Sequence, residues 1–169
     1  DIVSDNSLFN VIQNFDRLDL TLLKRSMSRH SSGLYVLPRP LALEDAAKID
    51  PEVLKRLLVM LRAAFPSLVI DSSKGLQSSD FVAFEMADVI LMVVSLDLTC
   101  LRNTARLLDL FRQFEGMAER VKLVVNRSGN CDAEISIKKA EETLKMPVSW
   151  QVPLAPKQFQ TARVRGVPL

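Results

Sequence analysis

The sequence predicts an α/β fold, a three-layer α/β/α sandwich built around a mainly parallel sheet. The first observation is alternation, because short β-branched runs recur along the chain with longer segments of helical spacing between them. A parallel connection needs a crossover that a helix can fill, so this alternation indicates parallel strands. The second observation is that the middle runs VIDS, DVILMVVS and VKLVVNR are almost continuously apolar, which is typical of strands covered on both faces.

The strands are predicted from β-branched runs that turn residues bound on each side. Two short helical patterns, NSLFNVIQNF and DLTLLKRSMSRH, come before the first of these runs. The predicted strands are residues 34–37, 68–70, 89–94, 121–125 and 148–152.

Three longer helices are predicted between the strands. The first spans residues 51–65, with Asp50 as its N-cap and Pro51 at its first position. Its apolar face carries Val53, Leu54, Leu57, Leu58 and Leu61. The second helix spans residues 101–114 and the third spans residues 136–144.

Length and composition limit the class of protein. A chain of 169 residues suits one ordinary domain, so residues 1–169 are expected to form a single domain. The net charge of +2 comes from 22 basic and 20 acidic residues spread along the sequence, so it creates no strong field for nucleic acid or a membrane, and no nucleic-acid partner is expected. Two cysteines without C-x-x-C spacing and the lack of a long apolar run indicate a cytoplasmic protein.

The residues after each apolar run are candidate site residues, because ligands bind at the carboxyl ends of strands in open α/β sheets. Asp71 ends one such run, and Gly75 follows it. A carboxylate there can hold a Mg²⁺-bound water, and a glycine lets the backbone approach a terminal phosphate. The alternative is that Asp71 caps the next helix or forms a turn.

Two further strand ends carry candidates for binding a base. Asn126 offers both a donor and an acceptor to a purine edge, and Arg127 can stack on the ring or shield it. The alternative is an exposed Asn-Arg turn. Pro153 follows the last predicted strand. Ser95 and Asp97, after another strand, are expected to cap the following helix and to have no catalytic role.

The other reactive side chains indicate no self-contained hydrolytic or redox site. His30 lies among turn formers in SRHSSG and is expected to be a solvated loop residue. Cys100 is expected to fill space near a helix start. No Ser-His-Asp or metal-ligand group can be assembled, and the sequence contains neither G-x-x-x-x-G-K-[ST] nor G-x-G-x-x-G.

The ordered series of segments resembles the MinD/ParA superfamily of deviant Walker P-loop ATPases. Its most specific pieces are SGLYVLPRP, LRNTARLLDLFR and the closing RGVPL, and the likeness extends from about Ser7 to Leu169. The nearest branch looks like the pilus-assembly proteins CpaE and TadZ. The resemblance implies a P-loop NTPase-like sandwich that lacks the first strands.

The resemblance also implies a role for each candidate residue. Asp71 would be the Walker B aspartate, which holds Mg²⁺ through water, and Gly75 would meet the γ-phosphate. Asn126 and Arg127 would lie at the adenine, and Pro153 would close the other side of the base. Members of the superfamily bind ATP with Mg²⁺, dimerise around it and hydrolyse it slowly, and they act as positional switches for polar or membrane-associated machinery.

The chain departs from the superfamily pattern in three places. It lacks the glycine-rich loop with its two lysines and the strands next to that loop, and Ser73 stands at the usual proline position. RGVPL closes the chain without a predicted terminal helix, so membrane association is expected to be indirect only. We therefore expect an N-terminally truncated domain that binds ATP weakly or not at all and is inactive alone. The missing first strand would leave a hydrophobic slot beside the Walker B strand. We expect this slot to be filled by self-association, by strand rearrangement or by an upstream segment.

The resemblance predicts the C-terminal part of a homodimeric protein that positions or regulates a pilus secretion apparatus through ATP-dependent dimerisation. Its partners would be proteins of that apparatus, and it would be recruited from the cytoplasm to the cell pole or inner membrane. Two alternatives stay open. One is a non-hydrolysing scaffold that kept the fold and lost the nucleotide site, and the other is a flagellar-number or division-site relative.

Overall fold

The computed structural model describes residues 6–40, 42, 44, 48–73, 76–129 and 135–166. These residues form two compact units. The first contains the described residues up to Met86 together with Gly166, and the second contains Ala87–Arg165. Each unit has its own buried apolar side chains and is described by itself.

The first unit is mainly helical, with one small hairpin. Its helices are α1 (Leu8–Gln13), α2 (Leu20–Ser26), α3 (Pro51–Ala64) and α4 (Ser78–Met86). The hairpin pairs β1 (Ser28–Arg29) with β2 (Tyr35–Val36) in antiparallel register. The two helical patterns predicted at the start of the chain and the helix predicted at 51–65 are therefore confirmed.

Local capping explains where these helices begin. The Ser7 side chain caps α1 in a capping box with Asn10. An Asp19 oxygen accepts the Leu22 N–H at 2.7 Å at the start of α2. Asp50 caps α3, as predicted, with Pro51 at its first turn.

The apolar face of α3 forms the core of the first unit with α1 and α2. Leu57 and Leu23 are completely buried. The other buried members of this cluster are Val11, Ile12, Phe15, Leu54, Leu58 and Leu61. Burying each leucine side chain stabilises the fold by roughly 1.5–3 kcal/mol, so the buried leucines of α3 make a large contribution to stability.

The strand predicted at residues 68–70 does not form. Residues 67–73 have no regular secondary structure, Val69 is 91% exposed and Ile70 is 45% exposed. A strand needs a neighbouring backbone to pair with its N–H and C=O groups. No strand pairs with this segment within the part of the chain that the structure describes. The apolar run has strand propensity but no partner, which explains the difference.

The second unit alternates strands and helices around a parallel sheet. Its elements are β3 (Ile90–Val94), α5 (Leu98–Phe111), β4 (Val121–Ser128), α6 (Ile137–Leu144), β5 (Val148–Pro153) and α7 (Pro156–Arg165). The strand order is β3-β4-β5, and both pairings are parallel. The α/β fold with a parallel sheet is thus confirmed.

Helix α5 covers one face of this sheet. It contacts β3 and α6, and its Leu101, Leu108 and Phe111 are buried. Ile90, Met92 and Val94 of β3 are buried on one face of that strand, whereas Leu91 and Val93 on its other face are 56% and 60% exposed. The prediction of burial on both faces therefore holds for Val124 in the middle strand, but not for the edge strand β3.

Helix α7 corrects the expectation that no helix precedes RGVPL. It begins at Pro156, and none of its side chains is buried. Proline at the first turn suits a helix start, but a helix without an apolar stripe gives no periodic signal in a sequence. None of the helices in the described ranges is both long and apolar enough to cross a membrane.

Candidate functional site

The carboxyl ends of β4 and β5 bring three predicted site residues together. Asn126 pairs with Val152, and Ser128 pairs with Pro153. The Leu154 N–H also donates to the Ser128 carbonyl oxygen at 2.9 Å, which extends the contact past the end of β5. Asn126, Arg127 and Pro153 therefore lie at one edge of the sheet, where open α/β sheets bind ligands.

A bulge in β4 gives Arg127 a strained backbone. The β4–β5 register shifts between Asn126 and Ser128, and the φ angle of Arg127 is 57°, in the left-handed region. This conformation costs a non-glycine residue roughly 1–2 kcal/mol. Such residues cluster at functional sites, where the surrounding structure holds them in place. The strain at Arg127 is thus an observation that points to a ligand site.

The side chain of Asn126 supports the bulge. Its Oδ1 accepts the Arg127 N–H at 2.9 Å. Because a backbone N–H needs an acceptor, this bond assigns the carbonyl oxygen to that position and leaves the amide NH₂ donors for other contacts. Asn126 is half-buried and Arg127 is exposed. The pair can offer hydrogen-bond donors and a planar cation to a flat polar ring, which fits the edge and face of a base.

Asp71 lies in the first unit and is exposed. Helix α4 begins at Ser78, so Asp71 does not cap it. Among the described residues, its carboxylate has no hydrogen-bond partner and no ion pair. Carboxylate oxygens are ligands that Mg²⁺ and its bound waters accept. The side chain therefore fits a metal-bound water, while Gly75 lies outside the described residues and stays a prediction.

Asp80 is a buried carboxylate that the sequence analysis does not identify. It is only 7% exposed, and its carboxylate accepts three hydrogen bonds. The donors are the Ser73 N–H at 3.0 Å, the Ser73 hydroxyl at 2.6 Å and the Gln77 N–H at 2.8 Å. One carboxylate thus ties together residues on both sides of Lys74 and Gly75. Serines and an aspartate before an apolar run are a helix-start signal that could have indicated it.

The environment of Asp80 keeps its carboxyl ionised. Burial by itself would raise the pKa, but the hydrogen bonds from the Ser73 hydroxyl, the Gln77 N–H and the Ser73 N–H outweigh burial. Together they hold the pKa of Asp80 below its usual value. The charged form is the one that stabilises the loop.

Two predicted structural roles are borne out. Asp97 caps α5, where it accepts the Cys100 N–H at 2.8 Å. Cys100 is half-buried near the start of α5, and its Sγ accepts the Ser95 N–H at 3.2 Å.

His30 lies in the β1–β2 turn, as predicted, but it is half-buried rather than solvated. Its ring nitrogens contact the Ser32 hydroxyl and the Gly166 carbonyl oxygen, each at 2.8 Å. In the described ranges no group of three or more His, Cys, Asp or Glu residues could hold a metal ion directly.

Sequence comparison finds relatives but no matching family model. The chain is 24% identical over 147 residues to an uncharacterized ATP-binding protein of Methanocaldococcus jannaschii, a match that covers 87% of this chain and 54% of the relative. It is 27% identical over 123 residues to the septum site-determining protein MinD of Bacillus subtilis, covering 73% of this chain and 44% of that protein. The chain therefore spans about half the length of these curated relatives.

Solved structures share the fold. A ParA family ATPase from Chlorobium tepidum TLS superimposes with a TM-score of 0.89 at 23% identity, over 97% of this chain and 67% of that one. The MinD protein of Pyrococcus horikoshii OT3, solved with Mg-ADP, gives a TM-score of 0.73 at 20% identity, over 97% of this chain and 65% of that one. At these identities the solved structures show the fold that this chain shares with ParA and MinD ATPases, and the curated relatives show what its sequence is similar to.

Proposed function

We propose that this chain is part of an ATP-binding protein in which Asn126, Arg127 and Pro153 contact the adenine. The observation that carries the proposal is the strained bulge at the carboxyl end of β4, beside the end of β5. The amide donors of Asn126 suit the edge of a purine, and the Arg127 guanidinium suits its face. The relative named as an ATP-binding protein supports ATP as the nucleotide.

On the metal side, we propose that Asp71 holds a water of a Mg²⁺ ion and that Gly75 approaches the γ-phosphate. The exposed Asp71 carboxylate, with no partner among the described residues, supports its part. When bound, Mg²⁺ would neutralise phosphate charge. Asp80 would hold the loop through Ser73 and Gln77, so that the backbone on both sides of Gly75 keeps its position.

The phosphate-binding backbone is proposed to come from outside these residues, since the sequence contains no glycine-rich phosphate loop. The position of β3 supports this, because it is an edge strand of the described sheet, and unpaired backbone N–H and C=O groups at an edge suit a further strand beside it. We therefore expect the 169 residues to bind ATP weakly and to be inactive alone.

For the whole protein, we propose a nucleotide-dependent switch that forms a homodimer when ATP and Mg²⁺ are bound. The segments SGLYVLPRP and LRNTARLLDLFR favour the pilus-assembly branch, so the switch would position or regulate a pilus secretion apparatus. The protein would be cytoplasmic and would reach the cell pole or inner membrane through partner proteins. A flagellar-number or division-site role is the variant that neighbouring genes would distinguish.

Nucleotide titration of the intact gene product tests the proposal. A fluorescent ATP analogue should bind saturably in the presence of Mg²⁺, and Asn126→Ala should weaken binding by about tenfold, the effect of roughly one good hydrogen bond. Arg102→Ala is the matched control, because Arg102 is an exposed residue of α5 in the same unit. A gene product that binds no nucleotide, or an unchanged affinity in Asn126→Ala, would contradict the proposal.

The second candidate function is a scaffold that has kept the fold without the nucleotide site. Light scattering on the intact gene product separates the two functions. A scaffold has the same mass with and without ATP and Mg²⁺, whereas the proposed switch doubles its mass when both are added.

A further inference from the structure

The first unit contains a groove of about 410 Å³ between α2 and the β1–β2 hairpin. Three of its lining side chains are the cations Lys24, Arg25 and Arg29, and none of the described residues that line it is acidic. Met27 and Tyr35 supply apolar surface between them. We call this feature the basic groove. It belongs to a different part of the chain from the β4–β5 edge, so nothing in the nucleotide proposal accounts for it.

Two cations of the basic groove are held in place by aromatic rings. The Lys24 Nζ lies 5.7 Å from the centre of the Phe65 ring, and the Arg29 guanidinium carbon lies 5.7 Å from the centre of the Tyr35 ring. The two rings are themselves in contact, with centroids 5.2 Å apart. Contacts of this kind orient a cation without neutralising it. These contacts favour one position for Lys24 and Arg29 before any partner arrives, which lowers the entropy cost of binding for these two side chains.

The positive charge of the basic groove is not balanced by any acidic side chain among the described residues that line it. The ion pairs described elsewhere in the chain join Arg112 to Asp109 and Lys139 to Glu142, both in the second unit. The groove is shallow and open, and it presents three positive charges around a partly apolar surface. A partner with negative charge and at least one apolar side chain is complementary to it.

We propose that the basic groove binds an acidic segment of a protein partner. Leu20 lines the groove and is 47% exposed, so it offers an apolar contact beside the cations. A membrane surface fits less well, because α2 has seven residues and its Leu23 is completely buried. Nucleic acid also fits less well, because the chain carries 22 basic against 20 acidic residues and three cations make no extended basic surface.

A labelled peptide tests this directly. The probe is a fluorescent dodecapeptide of alternating Glu and Leu, and its control has Gln in place of every Glu. Fluorescence anisotropy with the intact gene product should show binding of the acidic probe that weakens as salt is raised. The Gln peptide should bind at least about tenfold more weakly, because the charge contacts are lost.

Charge-reversal variants locate the binding. Arg25→Glu should weaken the acidic peptide by about threefold or more, and Lys24→Gln with Arg29→Gln should do so by about tenfold. The control is Lys55→Glu, an exposed lysine of α3 in the same unit, which should change affinity less than about twofold. Unchanged melting temperatures show that the variants fold.

The outcomes are separable from those of the nucleotide proposal. Equal affinity for the Glu and Gln peptides, or equal affinity in the groove variants, overturns the inference even if ATP binds. Vesicles of phosphatidylserine and a DNA duplex are the other probes. If either of them binds in a groove-dependent way while the acidic peptide does not, the groove serves a membrane or nucleic acid and the inference is wrong.

Discussion

Replacing Arg127 by glycine should separate stability from function at the β4 bulge. The left-handed backbone costs the arginine roughly 1–2 kcal/mol, and glycine adopts it without that cost. Glycine also gives the unfolded chain more freedom, which removes about 0.5–1 kcal/mol of the gain. The net effect of Arg127→Gly is therefore a stabilisation of about 0.5–1 kcal/mol, which raises the melting temperature by about 1–4 °C in a chain of this size.

The same substitution should weaken nucleotide binding, because it removes the guanidinium proposed to lie at the base. We expect about a tenfold loss of affinity for the ATP analogue, the loss of one charged or stacked contact. Thermal unfolding followed by circular dichroism gives the first quantity, and fluorescence titration of the intact gene product gives the second.

Lys145 provides a matched control for this prediction. It ends α6 with a φ angle of 53°, so it carries the same kind of strain in a position with no proposed ligand role. Lys145→Gly should raise the melting temperature by a similar amount and leave nucleotide affinity unchanged. If Arg127→Gly is also stabilised but binds nucleotide like the wild type, the strained arginine has no role at the base and our reasoning from strain to function is refuted.

Three further predictions concern the first unit. Asp80→Ala should destabilise the protein by about 2–4 kcal/mol in urea unfolding, because the donors of Ser73 and Gln77 lose a charged acceptor. A loss below about 0.5 kcal/mol would contradict this. The folded pKa of Asp80 lies below its unfolded value, so the carboxylate contributes stability above about pH 4 and loses it as the pH falls through the folded pKa. The difference in unfolding free energy between wild type and Asp80→Asn should therefore shrink in acid. A difference that stays constant with pH would contradict this. Leu57→Ala should lower the unfolding free energy by about 2–5 kcal/mol, because this side chain is completely buried. Val59→Ala is the control and should cost less than about 1 kcal/mol, because Val59 is 57% exposed. Similar losses in the two variants would mean that α3 packs differently.

Much of the fold could be predicted because caps and periodicity agreed. Asp50, Pro51 and the apolar stripe identify α3, and apolar runs separated by helical spacing identify β3, β4 and β5 with the helices between them. In these elements local preference and burial favour the same structure. The predictions fail where the structural preference of the residues is not matched by backbone pairing or by burial of an apolar face. Residues 68–70 have β-branched character but no paired backbone, and α7 is helical without an apolar stripe.

The candidate site could be predicted in position but not in detail. Asn126, Arg127 and Pro153 were identified by the rule that ligands bind where parallel strands end, and the structure places them at one edge. The bulge that strains Arg127 depends on the register of β4 against β5, which no local pattern encodes. The burial of Asp80 depends on Ser73 folding back onto α4, a contact between residues seven apart. Whether Asp71 and Gly75 join the β4–β5 edge in one site stays a prediction.

Photo-crosslinking tests the central claim most directly. The intact gene product is irradiated with 8-azido-ATP and Mg²⁺, and the labelled peptides are identified by mass spectrometry. We predict a label within residues 126–128 or at Pro153 and Leu154, reduced by excess unlabelled ATP. Labelling that unlabelled ATP suppresses but that maps away from the ends of β4 and β5 would contradict it.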